Sequence, residues 1–298
     1  MSSNELTAEK RLALEARHTW QRLVELRLDP VRGQFDATHL KEINRRIFQD
    51  LPGLGFSEAT PGEYRLPVAA GNDWVKTRKL ESVGIRLSVA YSPMDSNARS
   101  RLEDILESAD PAVLSGLSTR AFTAAMGRLY SEVDYIHPFV DGNSRTLREF
   151  TRQLAERSGY MLAWERFGQS PAGRDILYIA RDRSVNELAL PHIQQEATRR
   201  AIVLSMDQIE GNQDLPGLLQ DIIQPVGEPS LEQQLAAEEG RAVAVPNGPA
   251  VSVEQSLEEQ LRGQENGGYQ VKVAAKTNTG SQQQDHLQED HYDEPGMD

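Results

Sequence analysis

The 298-residue sequence contains no cysteine, which excludes disulfides, thiolate zinc sites, iron–sulfur clusters and cysteine nucleophiles. That absence fits a reducing cytosol. Aromatic residues make up 6% and hydrophobic residues 38% of the chain, below the ~45–50% common in globular proteins. With a mean hydropathy of −0.55, part of the length is expected to lie outside any packed core. No apolar run approaches the ~18 residues of a membrane span. Residues 1–10 lack the basic-then-apolar layout of a secretory signal, so a soluble cytoplasmic product is expected, with signal-free secretion through a dedicated machine left open. Positive charge is also in short supply. Lys and Arg total 32 against 45 Asp and Glu, a net −13 that argues against nucleic-acid or anionic-membrane partners.

The charge is unevenly spread. Residues 226–298 hold four basic and fourteen acidic residues, so this tail carries −10 and residues 1–225 only −3. The tail also has Gln282-Gln283-Gln284 and almost no aromatics, a composition that buries too little apolar surface to offset ordering entropy. It is expected to be disordered and acidic, with short helical tendencies at Leu231–Ala242 and Val253–Leu261. The body reads as mainly α. A polar helix is expected over Thr7–Leu28. A second begins at the Asp36 cap, with Leu40, Ile43, Ile47 and Leu51 at helical spacing. Residues 52–74 are rich in Gly and Pro and read as loop. Val83, Ile85, Leu87 and Val89 alternate, which places a β-hairpin within Trp74–Tyr91. Further helices are expected over Ser100–Leu106, Ser118–Tyr135, Arg145–Ser158 (closed by Gly159), Asp175–Asn186 and Ile193–Met206. No repeat of solenoid period is present. The divisions are thus an N-terminal helix (1–35), a core (36–200), a helical extension (201–225) and the tail (226–298).

Chemistry concentrates in His137-Pro138-Phe139-Val140-Asp141-Gly142-Asn143-Ser144-Arg145-Thr146-Leu147-Arg148. A Gly-Asn-Ser run entering a helix gathers backbone N–H groups at the positive end of the helix dipole, which suits phosphate. Arg145 and Arg148 are three apart and share one side of the first turns. Two guanidiniums near one anion suit a polyphosphate. Asp141 is placed to hold Mg²⁺, which bridges phosphate oxygens and keeps several waters. His137, four residues earlier, can accept a proton from an incoming hydroxyl, and Phe139 points the other way as an anchor. Asp-Gly and Gly-Asn are also ordinary turn formers, but no turn needs a His, an Asp and two Arg as well. A calcium loop lacks its alternating acidic ligands and closing Glu here. Trp20, Trp74 and Trp164 read as packing residues rather than adenine stackers. His18, His39, His192, His286 and His291 show no metal-ligand spacing.

The segment His137–Arg148 resembles the signature of the Fic family, H-x-F-x-[D/E]-G-N-[G/K]-R-x-x-R. Leu40–Asp50 is similar to that family's early helix, and the Trp74–Val89 hairpin falls where the family has its target-docking flap. The resemblance covers roughly residues 10–200. It implies a mainly α, Fic-type helical bundle with a short β-hairpin flap (74–91). It also implies adenylylation: AMP passes from Mg-ATP to a Ser, Thr or Tyr hydroxyl of a target protein. By matching positions, His137 would be the general base and Asp141 the Mg²⁺ ligand. Gly142, Asn143 and Ser144 would form the anion hole, Arg145 would bind the β/γ-phosphates and Arg148 would orient the γ-phosphate. The flap would receive the target by strand addition, with Lys76 and Thr77 near nucleotide or target.

The departure from the pattern is Ser144, where Gly is preferred. A helical φ leaves its N–H aimed at phosphate, which is the favoured reading; a required positive φ would strain it and lower activity. Lys at this position marks members acting in the kinase sense, and it is absent. The inhibitory pattern [S/T]-x-x-x-E-[G/N] is also absent: Thr38 and Glu42 are followed by Ile43, Thr77 and Glu81 by Ser82, and Ser205 stands one residue too far from Glu210. A toxin-like enzyme restrained in trans by a small antitoxin-like protein acting on Arg148 is therefore expected. The alternatives are a Fic enzyme using another nucleotide or phospho donor, and an inactive partner-binding scaffold.

Overall fold

The computed structural model describes residues 7–227. The expectations for residues 228–298, including the helical stretches at 231–242 and 253–261, lie outside the described residues. The fold is mainly α. Most helices begin where a short polar side chain captures an early amide. Helix α1 (Ala8–Leu28) starts behind Thr7 and α2 (Ala37–Phe48) behind Asp36, whose Oδ1 accepts from the His39 N–H at 2.9 Å. Helix α3 (Ser96–Glu107) begins four residues before the expected Ser100, because Asp95 Oδ1 accepts from the Ala98 N–H at 2.9 Å. The single turn α4 (Pro111–Leu114) follows Asp110. The central pair is α5 (Thr119–Ile136) and α6 (Asn143–Arg157). Helix α7 (Pro171–Ala189) also starts four residues early, behind Ser170 with Pro171 at its first position. Helices α8 (Glu196–Gln208) and α9 (Leu215–Gln220) complete the set among the described residues.

One apolar cluster joins these helices except α8, whose buried Ile202 packs in a second cluster with Val89, Tyr91 and Val185. Phe122, Met126, Tyr130 and Val133 of α5 meet Leu147, Phe150 and Leu154 of α6. Ile43 and Ile47 of α2, Leu177 of α7 and Leu218 and Leu219 of α9 close around them. The motif loop thus connects two helices that are each more than half buried and is fixed at both ends.

Strands β1 (Trp74–Lys79) and β2 (Arg86–Tyr91) pair antiparallel from Trp74 opposite Tyr91 to Lys79 opposite Arg86. The alternation that begins at Val83 becomes strand only from Arg86. Residues 80–85 make the turn, where the Gly84 N–H donates to the Leu80 carbonyl at 2.8 Å with Gly84 at φ +69°. The outer backbone of β2 is covered by side chains: Asn186 bonds both the Ala90 N–H and the Ser88 carbonyl at 3.0 Å, and Ser205 accepts from the Ser88 N–H at 2.8 Å. Strand β1 pairs only with β2 among the described residues, so its other side is the ribbon's free edge.

A second ribbon, β3 (Tyr160–Leu162) with β4 (Ile223–Pro225), was not legible in the sequence. Strands of three residues carry no usable period-two signal. This ribbon and the buried Leu215, Leu218 and Leu219 tie residues 215–225 into the bundle, and α8 runs through the boundary expected at residue 200. Residues 201–225 are therefore part of the core rather than an extension. Among the described residues no helix is long and apolar enough to cross a membrane.

Candidate active site

Helix α5 ends at His137, which adopts a left-handed backbone (φ 48°, ψ 61°) while its N–H still bonds the Val133 carbonyl at 3.0 Å. For a residue other than glycine this conformation costs about 1–3 kcal/mol, so surrounding contacts must hold it. Arg65 supplies them. It is 5% exposed and donates from Nε to the His137 carbonyl at 2.8 Å, and from Nη2 to the carbonyls of Ser92 at 2.6 Å and Ile136 at 3.2 Å. Its guanidinium lies 3.4 Å from the centre of the Trp74 ring. Burial without a carboxylate partner pushes Arg65 down to about 9. Its own N–H also donates to the Pro138 carbonyl at 2.9 Å.

The His137 ring sits between aromatics, with centroids 4.0 Å from Tyr91 and 5.5 Å from Trp74. Its side chain keeps 9% of its surface open. Burial pushes the imidazole down to about 3, outweighing the opposing pull of Asp134, whose Oδ1 lies 3.7 Å from Nδ1. The ring is therefore neutral near pH 7 and can accept a proton.

The loop beyond is clamped from inside. Phe139 is 2% exposed. Asn143 spans it, with Oδ1 accepting from the Phe139 N–H at 2.9 Å and Nδ2 donating to the Phe139 carbonyl at 2.8 Å. The Asn143 side chain is thus spent on shaping the loop. Gly142 has φ +72°, and a Cβ there would fall 1.9 Å from Phe48 Cζ. It offers α6 no side-chain cap, and the helix's first backbone bond runs from the Thr146 N–H to the Gly142 carbonyl at 2.9 Å. The amides of Asn143, Ser144 and Arg145 precede that bond, at the positive end of the helix. Among the described residues only Met94 and His137 have positive φ without being glycine. Ser144 therefore keeps a negative φ, the first of the two possibilities set out for it. Its hydroxyl turns into the protein and accepts from Arg181 Nη1 at 2.9 Å.

Asp141 is more open, with 42% of its side chain exposed. Its Oδ1 accepts from the Gly142 N–H at 2.6 Å, and its Oδ2 lies 3.8 Å from Arg145 Nη2. It lines a cavity of about 210 Å³ with Lys76, Glu15 and Phe48. Among the described residues no group of three or more His, Asp or Glu could hold a metal by side chains alone. One accessible carboxylate is nevertheless a fit for Mg²⁺, which takes its other ligands from phosphate and water. Lys76 belongs to this cavity. Thr77, the next residue on β1, lies on the opposite face of the ribbon and is not brought to it.

Arg145 is engaged by a residue that sequence reasoning missed. Its Nη2 donates to Glu15 Oε1 at 2.6 Å and its Nη1 to Thr19 Oγ1 at 3.3 Å, while its guanidinium lies 4.7 Å from the centre of the Phe48 ring. Nothing distinguished Glu15 from the other carboxylates of a polar helix; it is 4% exposed because α1 lies across the start of α6. Arg145 and Arg148 both line a groove of about 560 Å³ between α1, α6 and α7, with Trp20, Leu23, Val24, Trp164 and Leu177 as its apolar wall. The expectation for the tryptophans is corrected here in part. Trp164 packs against Tyr130, but Trp20 is 55% exposed on the groove, because no element of the described chain covers that face of α1. Trp74 flanks His137 instead of filling core.

Fold and site together define a helical domain that presents a neutral imidazole beside the open N-terminus of a helix carrying two arginines. Residues 34–155 match the model of the Fic/DOC family, and the chain carries a Fic/DOC family domain there. A relative from Bartonella schoenbuchensis named protein adenylyltransferase VbhT is 30% identical over 51% of this chain and 28% of its own length. A probable protein adenylyltransferase Fic from Escherichia coli is 28% identical over 43% of this chain and 53% of its own. The chain thus spans about half or less of the length of these curated relatives. The ADP-bound N-terminal Fic domain of a VirB-translocated effector from Bartonella quintana aligns at 21% identity and TM-score 0.45, covering 75% of this chain and 90% of that one.

Proposed function

We propose that the protein is a protein adenylyltransferase. The observation that carries this reading is His137, held neutral and fixed in an unusual backbone conformation, beside the uncapped start of α6 with Arg145 and Arg148 on its first turns. ATP lays its polyphosphate over the amides of Asn143, Ser144 and Arg145, the Gly142 amide expected beside them being held by Asp141 Oδ1 instead, with the Arg145 and Arg148 side chains countering its negative charge. Asp141 would hold Mg²⁺, which supplies charge neutralisation on the phosphates. His137 takes the proton from a Ser, Thr or Tyr hydroxyl of the target. The hydroxyl oxygen bonds the α-phosphorus as the bond to the bridging oxygen breaks, and pyrophosphate leaves. The protein's part is positioning and charge compensation. The free edge of β1, beside Trp74 and Lys76, accepts the target as an added strand.

Restraint belongs to this reading. The groove beside Arg148 combines the exposed Trp20 and Val24 and the partly buried Leu23 with Arg27, Arg148, Arg152 and Arg174 against Glu149 and Glu165. An acidic, amphipathic helix of a separate antitoxin-like protein suits it. Incubation with α-labelled ATP and cell lysate tests the activity: labelled protein bands are expected from the wild type and none from His137→Ala. Labelling from UTP or CTP but not ATP would move the reading to another nucleotide. Absence of label from every nucleotide would leave a partner-binding scaffold.

A further inference from the structure

Arg181 is the bulkiest fully buried side chain among the described residues, and it lies at the junction of α5, α6 and α7. Its Nε and Nη2 donate to the two oxygens of Asp134 at 3.1 and 3.2 Å, and its Nη1 donates to the Ser144 hydroxyl at 2.9 Å. Asp134 is 1% exposed and stands one helical turn before His137. Its Oδ1 lies 3.7 Å from Nδ1 of His137, a buried nitrogen with no hydrogen-bond partner. One guanidinium therefore fixes the carboxylate that faces the base and, through Ser144, the first turn of the helix that would cradle phosphate. A neighbouring pair extends the network to the flap, since Arg78 of β1 donates to Asp182 at 2.6 Å.

A buried ion pair gains little stability over apolar residues of the same volume, because desolvation offsets the attraction. Placement at this junction gives the pair a different use. A neutral imidazole carries one proton, and the nitrogen that keeps it decides which nitrogen can act as base. A fixed carboxylate at Nδ1 draws the proton there and leaves Nε2 as the acceptor. We propose that Asp134 and Arg181 are positioning residues: Asp134 sets the His137 tautomer, and Arg181 holds Asp134 and Ser144 in one frame so that base and phosphate cradle stay in register.

Two further observations support this. Burial alone would raise the Asp134 carboxyl, but the Arg181 guanidinium outweighs it and holds the group well below the usual carboxylate range, so the carboxylate is charged. Ser144, the departure from the family pattern, has its hydroxyl paired with Arg181, so the serine adds a tie that glycine lacks.

The catalytic consequence rests on the proposed adenylyltransferase reading, whereas the tautomer does not. The test therefore measures both. Imidazole ¹⁵N NMR at neutral pH is expected to show His137 of the wild type in the Nδ1–H form. Asp134→Leu/Arg181→Met removes both charges at once and leaves no unpaired ion. In that variant the Nε2–H form should gain at least tenfold in population ratio. The rate of AMP transfer at saturating ATP should fall at least tenfold, with the KM for ATP within about twofold. Arg181→Lys, which keeps a cation at Asp134, should keep the Nδ1–H form. Should the double variant fail to fold, Arg181→Lys and the wild type still report the tautomer. A wild-type ring in the Nε2–H form, or a tautomer unmoved in the folded double variant, overturns the proposal. If the tautomer behaves as described and no AMP transfer occurs in any variant, the adenylyltransferase reading fails while the positioning geometry stands.

Discussion

Substituting Gly142 by alanine tests how tightly the motif loop is built. The new methyl would meet Phe48 Cζ at 1.9 Å, Cε2 at 2.1 Å and Cε1 at 2.9 Å, at a residue whose φ is +72°. Left-handed backbone at a residue other than glycine costs about 1–2 kcal/mol. Phe48 is 4% exposed and packed among Leu40, Ile47 and their neighbours, so it can retreat only toward the cavity it lines beside Asp141. Overpacking of this kind adds about 1–3 kcal/mol. The sum, about 2–5 kcal/mol, is a large share of the ~5–15 kcal/mol that usually separates folded from unfolded chains. Denaturant unfolding followed by fluorescence reads it as a lowered midpoint. The clash also predicts coupling: in a Phe48→Leu background the cost of Gly142→Ala should shrink by about 1 kcal/mol or more. On the proposed adenylyltransferase reading, ATP binding should weaken along with stability, because Arg145 lies over the Phe48 ring. A Gly142→Ala protein within about 0.5 kcal/mol of wild type, the range of an ordinary surface change, would refute the reasoning.

Three further outcomes are expected. Asn143→Ala opens both hydrogen bonds to Phe139 and leaves two buried backbone groups unpaired, which should cost about 1–3 kcal/mol in denaturant unfolding and, on the proposed reading, weaken ATP binding. Arg65→Met removes the donor shared by the carbonyls of His137, Ser92 and Ile136; stability should drop by about 2–4 kcal/mol, and Arg65→Lys should recover part of it. With its folded value lowered to about 3, His137 stays neutral in the folded protein as pH falls from 7 to 5, while an unfolded chain takes up a proton near 6.5. Its contribution to stability is thus complete above about pH 6.5 and declines as pH falls from there toward 3. Imidazole NMR should show no titration of His137 between pH 5 and 7, and replacing the ring by Gln should flatten the acid side of the stability profile.

Helices whose starts carry a short polar cap are legible along the chain, as Thr7 and Asp36 show, and so is the position of the hairpin through its alternating Val and Leu residues. The motif loop is legible too, because His137, Asp141, Gly142 and the two arginines lie within twelve consecutive positions. These are local signals, written in neighbours along the chain. What meets that loop depends on how distant segments pack. Glu15 reaches Arg145 across 130 positions, Arg65 clamps His137 across 72, and Arg181 joins Asp134 and Ser144 from 47 and 37 positions away. A buried charge chooses its partner by where helices cross, and one-dimensional periodicity does not record crossings. The same reason hid the β3–β4 ribbon, whose strands hold together only because α6 and α9 bring residues 160 and 225 side by side.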